Sequence, residues 1–237
     1  MKYALVTGST KGIGYAISAK LIENGFFVYM NYANDDTAAS SIRLDSDKYS
    51  IIKADLSSFS GIEALSGALF KQDNLSLDCI VLNAGTTCRN PFGKIGYDDW
   101  TNVINANITI PFFIVQELSQ SIVDNGNIIF IGSDMGIYPH SVSVPYSVSK
   151  AATHMMALSL VKEFASHKIR VNAISPGFID TQWQKEKPLW LKEKIADKIA
   201  LRRFGTPEEV ACLCMSVIEN SYINGSVLSI DGGYNME

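Results

Sequence analysis

No uncharged apolar run in the 237 residues approaches the roughly 18 that a membrane span requires, and the opening MKYALVTGSTKGIG turns polar after Val6. Neither a spanning helix nor a signal-peptide core is expected; a soluble cytoplasmic protein is. Basic residues are not in excess either: 20 lysines and arginines face 24 aspartates and glutamates, a net charge of −4. Nucleic-acid binding normally needs a basic balance or a basic run, so it is not expected. Four cysteines, Cys79, Cys88, Cys212 and Cys214, form no C-x-x-C pair, and His140, His154 and His167 are scattered. Residues two apart on a helix point to nearly opposite sides, so Cys212 and Cys214 do not make a ligand pair, and no metal site is expected. Linkers, internal repeats and low-complexity segments are missing too, which leaves one domain over residues 1–237.

What the chain does contain is an alternation. Short apolar runs rich in β-branched and aromatic residues begin at Tyr3 (YALVT), Phe26 (FFVYMNY), Tyr49 (YSIIKAD), Leu77 (LDCIVLNAG), Asn127 (NIIFIGS), Ile169 (IRVNAISPG) and Ser226 (SVLSIDGG). Several are apolar on consecutive residues, as in strands of a parallel sheet covered on both faces. Between the first two, Ile13, Ile17 and Leu21 recur every four residues and Gly25 follows, which predicts a helix with a glycine stop. The predicted fold is α/β: a Rossmann-like, doubly wound parallel sheet of about seven strands with helices on both faces. Residues 180–203, DTQWQKEKPLWLKEKIADKIALRR, break the rhythm, being charged yet carrying Trp183, Leu189, Trp190 and Leu191. A solvated pair of short helices explains the charges. A lid, with Trp183 and Trp190 over an apolar substrate, explains the tryptophans, and the sequence leaves both open.

Thr7 to Gly14, TGSTKGIG, follow the first strand and lead into the first helix. Glycines permit close backbone approach, and the free amides and dipole of a helix N-terminus attract a pyrophosphate. Three residues rather than one separate Gly8 from Gly12, so the spacing is not the common G-x-G-x-x-G. In PYSVSK, Tyr146 and Lys150 stand four apart and share a helix face just after Pro145. Taken alone, that spacing equally describes an ordinary helix start.

In order, TGSTKGIG at 7, LNAG at 82, NANIT at 105, IGS at 131, YSVSK at 146, SPGFIDT at 175 and NGSVLSIDGG at 224 resemble the short-chain dehydrogenase/reductase family over nearly the full chain. RRFGTPEEVA and the chain length make it similar to the 3-oxoacyl-carrier-protein reductase branch. The resemblance implies that Tyr146 is the general acid or base at a carbonyl or alcohol, its phenol made acidic by Lys150, which also holds the nicotinamide ribose. Ser133 would hold the substrate oxygen, and Asn107 would join a proton relay from Lys150 through a water. Gly8, Gly12, Gly14 and the Ile13 amide are implied at the pyrophosphate, Asp55 at the adenine amino group, and Asn83, Ala84 and Gly85 along the adenine ribose. Pro176, Gly177, Ile179 and Thr181 would close over the nicotinamide end. NAD enzymes usually place an acid at the end of the second strand; neutral Asn31 there and Lys11 in the glycine loop favour NADP(H), while Asp35 and Asp36 keep NAD(H) possible. A homotetramer is implied as well, pairing the helices around Asn107 and Tyr146, with DGGYNME near a neighbour.

The chain departs from that branch in one respect. Asp124 and His167 occupy positions where cations would grip an acidic carrier protein, although Lys168 is adjacent, and an acid at 124 repels such a partner. The carbonyl substrate is therefore either carrier-bound or a free ketone, sugar, polyol or steroid. Two rival classes carry less. Ser147 to Lys150 fits the S-x-x-K of penicillin-binding enzymes, but the S-D-N and K-T-G partners are missing. A catalytically silent nucleotide-binding regulator would have no use for an intact set of Asn107, Ser133, Tyr146 and Lys150.

Overall fold

A computed structural model describes residues 1–72, 74–139, 143–185 and 187–234. His140, and the last three residues of the expected subunit contact, lie outside that set. Each predicted apolar run forms a strand: β1 (Lys2–Val6), β2 (Phe26–Tyr32), β3 (Tyr49–Lys53), β4 (Leu77–Leu82), β5 (Ile122–Ile131), β6 (Arg170–Pro176) and β7 (Val227–Ile230). Among the described residues they make one sheet, in the order β3-β2-β1-β4-β5-β6-β7, with every pairing parallel. The winding reverses between β1 and β4. In sheets of this kind the carboxyl ends at that reversal open a crevice for ligands.

The helices are α1 (Gly12–Glu23), α2 (Asp36–Ser40), α3 (Phe59–Leu69), α4 (Tyr97–Ile104), α5 (Ile110–Leu118), α6 (Val144–Glu163), α7 (Gln182–Lys185), α8 (Leu189–Ala196) and α9 (Pro207–Glu219). Consecutive apolar residues in the strands are explained by two cores, one per face. Ala4, Val6, Val28, Met30 and Val81 pack with Ile17 and Leu21 of α1 and Val210 and Cys214 of α9. Leu5, Tyr29, Ile80, Leu82 and Phe130 pack on the other face with Leu65 of α3, Ile114 of α5 and Ala157 of α6. At about 1.5–3 kcal/mol for each large apolar side chain buried, the sheet centre is a stiff base for the loops above it. Cys214 is buried and Cys212 exposed, as their spacing on α9 requires.

Two elements differ from the sequence pattern. β5 begins at Ile122, not Asn127: Ile122 pairs with Leu77, then the register shifts to Cys79 opposite Asn127. Asn125 at φ 64° takes up the shift, and its polar neighbourhood conceals the strand start. Between α4 and α5 the chain winds through a π-helical turn, Asn105–Thr109, which carries Asn107. The described residues of 180–203 include α7 and α8; the bridge of Ile179 to Gly205 ties the two ends of the segment together, and Ile199 within it is buried.

Candidate active site

The crevice between β1 and β4 is built first by glycine. Gly8 and Gly12 adopt φ of 60° and 56°, a region that suits residues without a side chain. A Cβ on Gly8 would lie 3.0 Å from the Ala84 Cα, and one on Gly14 would lie 2.3 Å from the Gly8 carbonyl and 2.5 Å from Asn83 Nδ2. The loop is fixed to β4 by neutral groups: Asn83 Nδ2 donates to the Thr7 and Gly8 carbonyls at 3.0 and 2.9 Å, and the Asn83 and Ala84 amides donate to Thr7 Oγ1. Lys11 occupies the N-cap of α1 without making a side-chain cap, and no acid stands in the first turn. The opening amides of α1 are thus left for an anion. Thr181 reaches this loop, its methyl 3.5 Å from a Cβ placed on Gly12. Glycine cradle, uncapped helix start and Thr181 together fit a dinucleotide phosphate.

Asn31 is corrected by the structure. It was expected to face a ribose, but it is 1% exposed, because alternation along β2 turns it into the sheet. Its Nδ2 donates to the Ala54 carbonyl at 3.0 Å and its Oδ1 accepts the Gly8 amide at 3.4 Å, so it supports the glycine loop from beneath. Tyr32, one residue on, is the half-exposed end of the strand, and its hydroxyl donates to Asp36. Lys11 pairs with Asp35 at 2.9 Å and Lys53 with Asp36 at 2.8 Å, so both acids that could have favoured NAD(H) face cations. Lys11 draws the Asp35 carboxyl below its ordinary value, and Lys53 does the same for Asp36. Asp55 is exposed and accepts the Ser57 amide at 3.1 Å in a local turn.

The second wall belongs to β5 and α6. Ser143 caps α6 by accepting the Tyr146 amide, Pro145 sits in the first turn, and the resulting helix sets Tyr146 and Lys150 on one face. The Ser133 hydroxyl, just past β5, accepts the Met135 amide at 3.2 Å and lies near enough to the Tyr146 phenol to favour its ionised form. The Lys150 ammonium lies 5.6 Å from the centre of the Tyr146 ring and donates to the Ile131 carbonyl at 2.7 Å. Asn107 closes the group by bracing two segments: its amide exchanges hydrogen bonds with the Thr86 backbone and donates to Ser149 Oγ at 2.9 Å. A Cβ on Gly85 would stand 2.9 Å from Asn107 Oδ1 and 3.8 Å from Lys150 Nζ, so the missing side chain leaves the gap between them open.

The electrostatics reverse one expectation. Burial pushes the Tyr146 phenol up to about 12, with only Ser133 drawing it back, and burial lowers Lys150 to about 8. Desolvation disfavours the charged form of each. The phenol is therefore held in its protonated form, rather than primed as phenolate.

Of the two tryptophans in residues 180–203, Trp183 lies against the site, its ring 6.0 Å from that of Tyr146, and its carbonyl accepts from Arg89 at 3.3 Å. Trp190, on α8, is 63% exposed and stands in solvent instead. Pro176 ends β6; Ile179 is buried, and Gly177 donates to the Ile230 carbonyl. Two neighbours of Ser133 escaped the sequence reading. His154 is buried below it: Nε2 accepts the Ser133 amide at 3.4 Å, and a Cβ on Gly132 would come within 2.1 Å of that nitrogen. Burial, reinforced by Lys150, lowers His154 to about 4 and keeps it neutral. Its place four residues after Lys150, on the Tyr146 face, was the available signal. The other neighbour is Asp134, whose partners lie on distant strands.

The short chain dehydrogenase profile matches residues 2–192. Over 98% of its length the chain is 34% identical to a 3-oxoacyl-(acyl-carrier-protein) reductase of Aquifex aeolicus, covering 96% of that protein. It is also 34% identical, over 98% of its length and 94% of the relative's, to glucose 1-dehydrogenase 2 of Bacillus subtilis. The Pseudomonas aeruginosa RhlG/NADP active-site complex superposes with a TM-score of 0.91 at 32% identity, covering 98% of this chain and 96% of that one.

Proposed function

The chain belongs to the short chain dehydrogenase family, and from that premise we propose that it is an NADP(H)-dependent oxidoreductase interconverting a carbonyl compound and a secondary alcohol. One observation carries the reading: buried Ser133 and Lys150 and the partly buried Tyr146 stand on the same crevice as the glycine cradle, at the carboxyl ends of the strands. Bound there, the nicotinamide would supply the hydride. Gly8, Gly12, Gly14 and the α1 amides would hold the pyrophosphate, and Lys11 would favour the extra phosphate of NADP(H) once released from Asp35. The NADP-bound relative and the absence of an acid at Tyr32 support that choice.

In the reducing direction Tyr146 would donate its proton to the substrate oxygen, with Ser133 holding that oxygen within reach. A phenol held neutral at the working pH has its proton to give. Lys150 would then stabilise the phenolate that forms, acting where charge develops in a site with little water. His154 and Asn107 would fix the geometry, the first under Ser133 and the second between Thr86 and α6. Trp183 would lie over the substrate as part of a lid in residues 180–203, whereas Trp190 would not touch it.

The substrate is best read as a free ketone rather than a carrier-bound one. Asp124 and His167 pair with each other at 2.9 Å on the surface, where an acidic carrier would need cations. Val148, Met155 and Leu158 remain exposed on α6, an apolar stripe that supports a homotetramer, which light scattering would test. The reaction is tested by following NADPH absorbance with a panel of free ketones, sugars and 3-oxoacyl thioesters. Oxidation with a free ketone is the expected result. Binding without turnover on every substrate would instead make the protein a nucleotide-binding regulator.

A further inference from the structure

The chain just after β2 carries two adjacent acids, and each is met by a lysine from a different element. Lys11 of the glycine loop reaches Asp35 at 2.9 Å, and Lys53, the last residue of β3, reaches both carboxylate oxygens of Asp36 at 2.8 Å. The two acids are not held alike. Asp35 is the N-cap of α2, its Oδ1 accepting the Ala38 amide at 3.0 Å, so a backbone bond fixes it whatever Lys11 does. The Asp36 carboxylate is held by side chains alone among the described residues: by Lys53, and by the Tyr32 hydroxyl, which donates to Oδ1 at 2.8 Å.

Strand register explains why these three side chains meet. Tyr32 and Lys53 are paired neighbours at the carboxyl ends of β2 and β3, and the Lys53 ammonium stands 5.8 Å from the centre of the Tyr32 ring. Asp36 thus lies one tyrosine's length from the end of β2, about 20 residues past the glycine loop, where an acid that accepts from the ribose hydroxyls of NAD(H) is placed. Lys53 first, and then Tyr32, draw its carboxyl below the ordinary value, so it is ionised at neutral pH. An ionised carboxylate accepts from hydroxyls and repels a phosphate.

We propose that Lys53 is a positioning residue for coenzyme choice: by holding Asp36 against β3 and Tyr32, it keeps that carboxylate off the adenosine ribose and so favours NADP(H) over NAD(H). The inference rests on the coenzyme reading given above. Specificity is a difference between two affinities, and here one residue acts on both. Tethered and paired, Asp36 neither accepts from a 2′-hydroxyl nor turns its full charge on a 2′-phosphate. The Lys53 and Asp36 side chains are 54% and 65% exposed, so their pairing is a surface one, and the effect is about two- to fivefold on each affinity.

The test measures dissociation constants of NADPH and NADH by fluorescence titration, for the wild type and for Lys53→Met, which keeps an apolar stem. NADH should bind about two- to fivefold tighter to the variant and NADPH weaker by a similar factor, and Lys53→Arg should restore the wild-type ratio. In an Asp36→Asn background Lys53→Met should leave NADH affinity unchanged, because no carboxylate remains to be released. With no dinucleotide present, carboxyl-¹³C aspartate spectra should show Asp36 titrating at higher pH in Lys53→Met than in the wild type; an unmoved titration would overturn the tether. Loss of NADPH affinity with NADH unchanged, in both backgrounds, would make Lys53 a direct phosphate contact and overturn the proposal. Equal weakening of both dinucleotides would reduce it to a structural residue and overturn the proposal too. A wild type that prefers NADH, with Lys53→Met tightening NADH further, would overturn the NADP(H) reading and leave the role of Lys53 standing.

Discussion

The two walls of the crevice are built from different physics. On the β1–β4 side the working groups are glycines, backbone amides and neutral side chains such as Asn31, Asn83 and Thr7. On the β5–β7 side they are groups that can gain or lose a proton: buried Asp134, Lys150 and His154, and the partly buried Tyr146. The first wall is set by shape, so one methyl group should damage it while pH should not. The second is set by charge, and the sensitivities should be reversed.

The contrast breaks most visibly at Tyr146. Tyr146→Phe keeps the ring against Trp183 but removes the transferable proton, so turnover should fall by about 10²–10⁴-fold while NADPH still binds. Retention of most turnover would remove Tyr146 from proton transfer. Gly14→Ala probes the other wall. The added carbon would meet backbone at 2.3 Å, and overpacking of this kind costs about 1–3 kcal/mol, so NADPH affinity should drop roughly tenfold or more at every pH. Unchanged affinity, measured by titration calorimetry, would show that the phosphate binds elsewhere. The smallest effect belongs to Lys11, which is exposed and paired with Asp35. Lys11→Ala should weaken NADPH by a few-fold and leave NADH unchanged; an equal loss for both would mean that it does not read the extra phosphate.

Much of the shape-determined wall was legible in the sequence, because it depends on residues close together in the chain. The glycine loop between a strand and a helix, and the one-turn spacing of Tyr146 and Lys150, are local patterns. Asn31 was misplaced by a single residue: side chains on a strand alternate, so one step along β2 separates a buried brace from the half-exposed Tyr32. The charge-determined wall was legible in its residues but not in its balance. Tyr146 and Lys150 could be named, yet whether attraction or desolvation governs them depends on how completely Ser133, Ile131 and α6 exclude water. Asp134 was silent for a related reason, since Ser175, whose hydroxyl it accepts, and the neighbouring Ser229 and Asp231 come near it only when β5, β6 and β7 assemble. Trp183 and Trp190 look equivalent in the sequence, and only their places on two different helices, α7 and α8, separate their surroundings.

The most direct measurement is the pH dependence of kcat/KM for ketone reduction by the wild-type enzyme between pH 6.5 and 10, alongside its melting temperature. With the phenol protonated and Lys150 charged in the active form, the rate should hold to about pH 8 and then fall as Lys150 loses its proton. Lys150 has a lowered folded value, so its contribution to stability is present above the unfolded value of 10.5 and lost as pH falls through about 8. Over that interval this group should favour folding while the rate declines, which separates deprotonation from unfolding. A rate that instead climbs steadily from pH 8 to 10 would mean that the phenolate is the working form, and would contradict a neutral acid held in a dry pocket.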